Sequence, residues 1–136
     1  MQPIMIIDDS ATVRKIVEVA LQREGYQVVS FPDGIEALRW LQSEHSHIPA
    51  LLFLDISLPK LSGYQIARHL KKQTRFAHVP ILMLTRHNGV VDRLRARLSG
   101  ASSFVTKPFT TETLLKLTQQ YVGIPAQDTS EVRHAL

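Results

Sequence analysis

Apolar residues along the chain follow two alternating rhythms. Five short runs have strand character: Ile4 to Ile7, Gln27 to Ser30, Leu51 to Leu54, Ile81 to Leu84 and Ser103 to Thr106. Each is bounded by turn or cap residues. After each run the spacing changes to that of a helix. Val13, Ile16, Val17, Ala20 and Leu21 make one face, opened by Ser10 or Ala11 and stopped by Gly25. Ile35, Leu38 and Leu41 follow Asp33, a good N-cap residue. Ile66, Ala67 and Leu70 mark a third helix, and Val91, Leu94 and Leu98, ending at Gly100, a fourth. Leu114, Leu115, Leu117 and Val122 mark a fifth. In the fourth helix the three apolar residues are expected to turn inward, leaving Arg93, Arg95 and Arg97 on a solvated face.

Strand and helix alternate five times, and the central strands are almost continuously apolar. That pattern predicts a doubly wound α/β domain, because parallel strands need crossovers and the crossover helices cover both faces of the sheet. Such folds carry their sites at the carboxyl ends of the strands. The polar residues at those positions are Asp8 and Asp9 after the first strand, Asp55 after the third, Thr85 after the fourth and Lys107, followed by Pro108, after the fifth. All are expected to converge on one sheet edge.

Paired aspartates after a strand read, in isolation, as a helix N-cap. Thr85 alone reads as a strand-end cap and Phe104 as core. Together the polar residues say more. Three carboxylates in a partly buried place repel one another and need counter-charge to stay ionised. Lys107 supplies some, and a metal would supply more. Oxygen ligands without His or Cys suit Mg²⁺. A carboxylate can also attack phosphorus to form an aspartyl phosphate, provided that metal and ammonium charge neutralise the phosphoryl oxygens.

Composition narrows the setting. A chain of 136 residues, 44% hydrophobic, is long enough for one sizeable core and short for two domains. It has no cysteine, so disulfides and thiolate metal sites are excluded and no oxidising compartment is needed for folding. The apolar runs fall far below the roughly 18 residues that cross a bilayer. The N-terminal MQPIMIIDDS has no signal-peptide form, so a soluble, cytoplasmic protein is expected. The net charge of +4 draws on Arg86, Arg93, Arg95 and Arg97, opposed locally by Asp92. No nucleic-acid reading element accompanies that cluster, so nucleic acid is not the expected partner. The six histidines show no metal-ligand spacing, and His45 and His47 read as loop residues before Pro49. Trp40, Tyr26 and the methionines read as core or half-buried surface.

The segments IMIIDDS, LLFLDISLPKLSG, ILMLT and FVTKPF, in this order and spacing, resemble the response-regulator receiver domain of two-component signalling. Thirty positions separate Asp55 from Thr85 and twenty-two separate Thr85 from Lys107. The resemblance covers about Gln2 to Val122. It implies a flavodoxin-like sheet of five parallel strands in the order 2-1-3-4-5, with five helices. It also implies roles: Asp55 as phosphoacceptor, with Asp9, Asp55 and the Ser57 backbone carbonyl holding Mg²⁺ and Asp8 acting at the metal or through its water. Lys107 would pair with Asp55 or its phosphate. Thr85 would bond the phosphoryl and move inward, vacating space for the Phe104 ring. Pro108 would fix the following loop through a cis peptide. The readout would be the face of the fourth helix, fifth strand and fifth helix.

Two features near the site set this chain apart. Arg86 stands after Thr85, where the family usually has a small residue; it would neutralise phosphate, hinder donor access or point to solvent. Ser57 and His87 occupy the positions that flank the attacking water and tune phosphate lifetime. The segment NGVVDRLRARLSGASSFVTKPF is similar to receivers of twitching-motility and type IV pilus systems and to cyanobacterial phototaxis regulators.

The expected organisation is a receiver over residues 1–123 and a short tail over 124–136, flexible or a short docking helix, which makes a stand-alone regulator whose output is a protein contact. It is expected as a monomer or weak dimer that takes phosphate from a histidine kinase or phosphotransfer protein. The basic fourth-helix face would meet a downstream target. Two alternatives stand beside this: a phosphorylation-independent adaptor, and a hydrolase using a similar carboxylate, disfavoured because no cap domain encloses a substrate.

Overall fold

In the computed structural model the apolar residues of the strands divide by parity between the two faces of one sheet. The structure describes residues 2–43 and 48–125. His45, His47 and residues 126–136 of the expected tail lie outside the described residues. The strands are β1 (Ile4–Ile7), β2 (Val28–Phe31), β3 (Leu51–Asp55), β4 (Ile81–Thr85) and β5 (Ser103–Thr106). The helices are α1 (Ala11–Arg23), α2 (Gly34–Leu41), α3 (Gly63–Lys71), α4 (Val90–Leu98) and α5 (Thr111–Val122), with a short 3-10 turn at Thr74–Phe76. All strand pairs are parallel, in the order β2-β1-β3-β4-β5. This is the expected doubly wound, flavodoxin-like sheet.

Met5, Ile7, Leu52, Leu54, Ile81 and Met83 point to one face and meet Ala37, Leu41, Ile66, Ala67 and Leu70 of α2 and α3. Ile4, Ile6, Leu51, Phe53, Leu82 and Leu84 point to the other and meet Val17, Leu21 and Leu114 of α1 and α5. Full burial of each such side chain contributes about 1.5–3 kcal/mol, so β1, β3 and β4, buried on both faces, form the fixed centre. Side-chain caps start four of the helices: Ser10, Asp33, Ser62 and Thr110 each accept an N–H from the first turn.

The structure corrects the expected strand limits by single residues. β2 begins at Val28 rather than Gln27, while β3 and β4 run one residue further, so that Asp55 pairs with Leu84 and Thr85 with Thr106. Both side chains therefore project from strand positions fixed by the ladder.

The helix faces need larger corrections. Ile16 is 45% exposed and Ile35 38%, and α2 buries Gly34 and Ala37 together with the expected Leu41. In α4 the arginines Arg93, Arg95 and Arg97 are exposed as expected, but the apolar residues do not turn inward: Val91 is 70%, Leu94 54% and Leu98 75% exposed. Its one buried residue is Ala96, with Asp92 half-buried and the C-cap Ser99 buried just beyond it. The reason is local packing. The guanidinium of Arg93 lies 5.0 Å from the Phe104 ring centroid, and that of Arg95 lies 4.3 Å from the Tyr64 ring centroid. With these contacts at its rim and only the small Ala96 buried, α4 packs on the sheet through little apolar surface.

Gly63 brings the start of α3 against the site strand. A Cβ there would lie 2.5 Å from the Asp55 carbonyl oxygen, and the Gly63 N–H donates to Ile56 O at 2.9 Å. Gly63→Ala is expected to destabilise the fold by about 1–3 kcal/mol through this clash, measured by urea unfolding. Leu98→Gln, on the exposed side of α4, is expected to change stability by less than about 0.5 kcal/mol. A large loss at Leu98 would show that the sequence periodicity, and not the observed exposure of Leu98, describes α4.

Candidate functional site

Asp8 and Lys107 stand one residue beyond β1 and β5, and Asp55 ends β3. Sheet order places β1 between β2 and β3, so Asp8 and Asp55 come from adjacent strands. Backbone bonds hold the two flanking residues: the Asp8 N–H donates to Phe31 O at 3.1 Å and the Lys107 N–H to Thr85 O at 2.6 Å. The carboxylates of Asp8, Asp9 and Asp55 each offer an oxygen within 4.8 Å of the others. Asp8 is fully buried, Asp55 nearly so, and Asp9 is exposed.

Lys107 reaches between the two buried acids. Its Nζ lies 2.6 Å from Asp8 Oδ2 and 3.5 Å from Asp55 Oδ2. Lys107 thus pairs with Asp55, as expected, and lies closer still to Asp8. The other oxygens are held by backbone: Asp8 Oδ1 accepts the Ser10 N–H at 2.9 Å, and Asp55 Oδ1 accepts the Ser57 N–H at 3.1 Å. These residues, with Asp9, Val13 and Arg86, line an open cavity of about 340 Å³.

Asp55 holds its proton more tightly than an ordinary carboxylate. Burial is the main cause and the Asp8 charge the next; Lys107 and the Ser57 N–H oppose them, and Asp9 adds a further upward push. The three-carboxylate set with an opening to solvent fits a hard divalent cation such as Mg²⁺, since all its donors are oxygen.

Other expected site residues are placed nearby but differently engaged. Thr85 is buried, and its hydroxyl both donates to His87 O and accepts the His87 N–H, each at 2.9 Å. It is tied to the loop rather than to the carboxylates. Phe104 is half-buried beneath Arg93, and its neighbour across the ladder is Met83. His87 is exposed and is not among the residues lining the cavity, whereas Ser57 and Arg86 are. The Lys107–Pro108 peptide is cis. Sequence reasoning missed Arg14, whose Nη1 donates to the Asp8 carbonyl at 2.7 Å. In sequence it is one more polar position of α1, and nothing marks its reach.

A doubly wound five-stranded sheet with this acidic pocket and lysine defines a receiver. The chain belongs to the response regulator receiver domain family, whose model matches residues 4–119, and it acts as a phosphoacceptor module of two-component signalling. It is similar to Protein PilG of Pseudomonas aeruginosa, 35% identical over 119 residues that cover 88% of this chain and 86% of PilG. The chemotaxis response regulator CheY4 of Vibrio cholerae matches in structure with a TM-score of 0.82 at 31% identity, over 89% of this chain and 98% of that one. The receiver domain of the sensor histidine kinase PA1611 from Pseudomonas aeruginosa, solved with magnesium coordinated in its active-site cleft, matches with a TM-score of 0.79 at 29% identity, over 90% and 98% of the two chains. The chain also matches larger transcriptional regulators such as ycf27 of Cyanophora paradoxa, 40% identical over 82% of this chain, but spans only 44% of that relative. Among the described residues no helix is long and apolar enough to cross a membrane.

The raised Asp55 pKa makes a testable statement about stability. The folded protein binds this proton more tightly than the unfolded chain, so ionising Asp55 destabilises the fold. Stability attributable to this group is therefore lost as pH rises from the ordinary carboxylate range through the raised folded value. Asp55→Asn is expected to have a higher Tm than the parent at neutral pH in metal-free buffer, the gap closing below about pH 4. Equal Tm values at neutral pH would contradict the electrostatics described here.

Proposed function

We propose that the protein is a stand-alone response regulator that accepts a phosphoryl group on Asp55 from a histidine kinase or phosphotransfer protein. The observation that carries this is Lys107 placed between Asp8 and Asp55 at the open acidic cavity. An Asp55 carboxylate oxygen attacks the donor phosphorus; the bond from phosphorus to the donor nitrogen breaks, and its electron pair stays with the departing imidazole. Lys107 neutralises the transferred oxygens from one side. Asp9, Asp55 and the Ser57 carbonyl, with Asp8 directly or through water, would hold Mg²⁺. That ion, when bound, supplies the remaining positive charge for the transfer. The magnesium in the PA1611 receiver supports this assignment.

The switch follows from the Thr85 hydrogen bonds. The new phosphoryl oxygens offer stronger acceptors than His87 O, so the hydroxyl leaves the loop and turns toward the site. Phe104 then fills the space beside β4, and the α4–β5–α5 face changes for a downstream protein. Ser57 and His87 set the lifetime of the phosphate. Residues 1–123 constitute the receiver and 124–136 a tail. The protein has no separate enzymatic activity and works in the cytoplasm, and its similarity to PilG and CheY4 supports a motility pathway.

One observation favours a second reading, a phosphorylation-independent adaptor: Val91, Leu94 and Leu98 of α4 are already exposed. Partner affinity measured with and without phosphorylation separates the two, and equal affinities support the adaptor. For the main reading, incubation with acetyl phosphate and Mg²⁺ should add the mass of one phosphoryl group to the parent and none to Asp55→Ala. Chelation of Mg²⁺ should abolish the reaction in the parent. The same mass gain in Asp55→Ala would sink the acceptor assignment.

A further inference from the structure

Arg86 directly follows the last residue of β4 and lines the acidic cavity with Asp8, Asp9, Asp55 and Lys107. It is exposed, and the ion pairs among the described residues are those of Lys107, leaving the Arg86 guanidinium without a carboxylate partner. It also lines a neighbouring, mainly apolar cavity of about 390 Å³ with Val13, Ile16, Pro108 and Phe109. Long cationic side chains between apolar and polar surface commonly lay their methylenes on the one and keep the charged head in water. The guanidinium is always charged, and its planar fork matches phosphate-like oxygens.

Charge counting shows which state of the site such a cation favours. With three ionised carboxylates opposed by Lys107 and Arg86, the site carries one net negative charge. A divalent cation converts this to one net positive charge. A phosphoryl group on Asp55 replaces one negative charge by two, which brings the total to zero. Without Arg86 the same three states carry two negative charges, none and one negative charge. Arg86 therefore disfavours the metal in the resting protein and favours the phosphoryl.

We propose that Arg86 is a charge-balancing residue of this site, one that weakens divalent-cation binding before phosphorylation and strengthens binding of the phosphoryl anion afterwards. The inference rests on the reading of Asp55 as acceptor. It differs from a steric lid, which would hinder both ligands alike.

Backbone amide NMR titrations of the full chain, followed at Ser57, test it with MgCl₂ alone and with beryllofluoride at saturating Mg²⁺. Arg86→Ala is expected to bind Mg²⁺ about three- to tenfold more tightly and beryllofluoride about three- to tenfold more weakly, both differences shrinking at high salt. Arg86→Lys, which keeps the charge, should stay close to the parent in both titrations. If Arg86→Ala leaves both affinities unchanged, or moves both in the same direction, the inference is overturned. Asp55→Asn separates this from the acceptor reading. Beryllofluoride binding lost in Asp55→Asn but unchanged in Arg86→Ala defeats only the role of Arg86. Equal binding by Asp55→Asn and the parent defeats the acceptor reading, and the Arg86 inference with it.

Discussion

Lys107 lies within ion-pair distance of two buried carboxylates at once, 2.6 Å from Asp8 and 3.5 Å from Asp55. Nearly everything else about the site is a consequence of that arrangement. The acids come from adjacent parallel strands and cannot separate without breaking the ladder between β1 and β3. The lysine comes from the far edge strand and is pinned by its own N–H to Thr85 O. A fold that fixes two buried acids around one ammonium, with exposed Asp9 beside them, leaves a residual negative charge at the site. Such a place binds hard cations and, with them, phosphoryl oxygens.

The same constraint links the site to the surface. Thr85 ends β4 with its hydroxyl engaged by the backbone of His87, and β4 pairs with β5, which carries Phe104. Arg93 of α4 stacks over the Phe104 ring, and Arg95 over Tyr64 of α3. One strand pairing and one aromatic contact therefore separate Thr85 from α4. The apolar residues Val91, Leu94 and Leu98 of α4 face outward, so the helix against this strand displays an exposed apolar surface.

The fold was legible in the sequence because its central strands are short, apolar and bounded, and because Ser10, Asp33 and Gly25 punctuate the helices. Asp8, Asp55 and Lys107 were legible for a related reason: in a parallel sheet, position at a strand end determines position in space. What periodicity could not report was helix rotation. In α4 only the small Ala96 is buried, while Val91, Leu94 and Leu98 stay exposed beside arginines whose guanidiniums lie over the Phe104 and Tyr64 rings, and a hydrophobicity pattern assigns no weight to a guanidinium lying over a ring. Hydrogen bonds from long side chains to backbone were hidden too. Arg14 on the Asp8 carbonyl is the example, since any polar helix position looks equally solvated in sequence.

The proposed nucleophile is one carboxylate of the three, Asp55. An acyl phosphate is reduced by borohydride to the corresponding alcohol, so phosphorylated aspartate becomes homoserine at its own position. Phosphorylation of the parent protein, borohydride reduction and peptide mass sequencing locate the bond directly. Homoserine at position 55, with Asp8 and Asp9 unaltered, is the predicted result. Homoserine at position 8 or 9, or no reduced aspartate in a protein that has gained phosphate, would contradict the assignment.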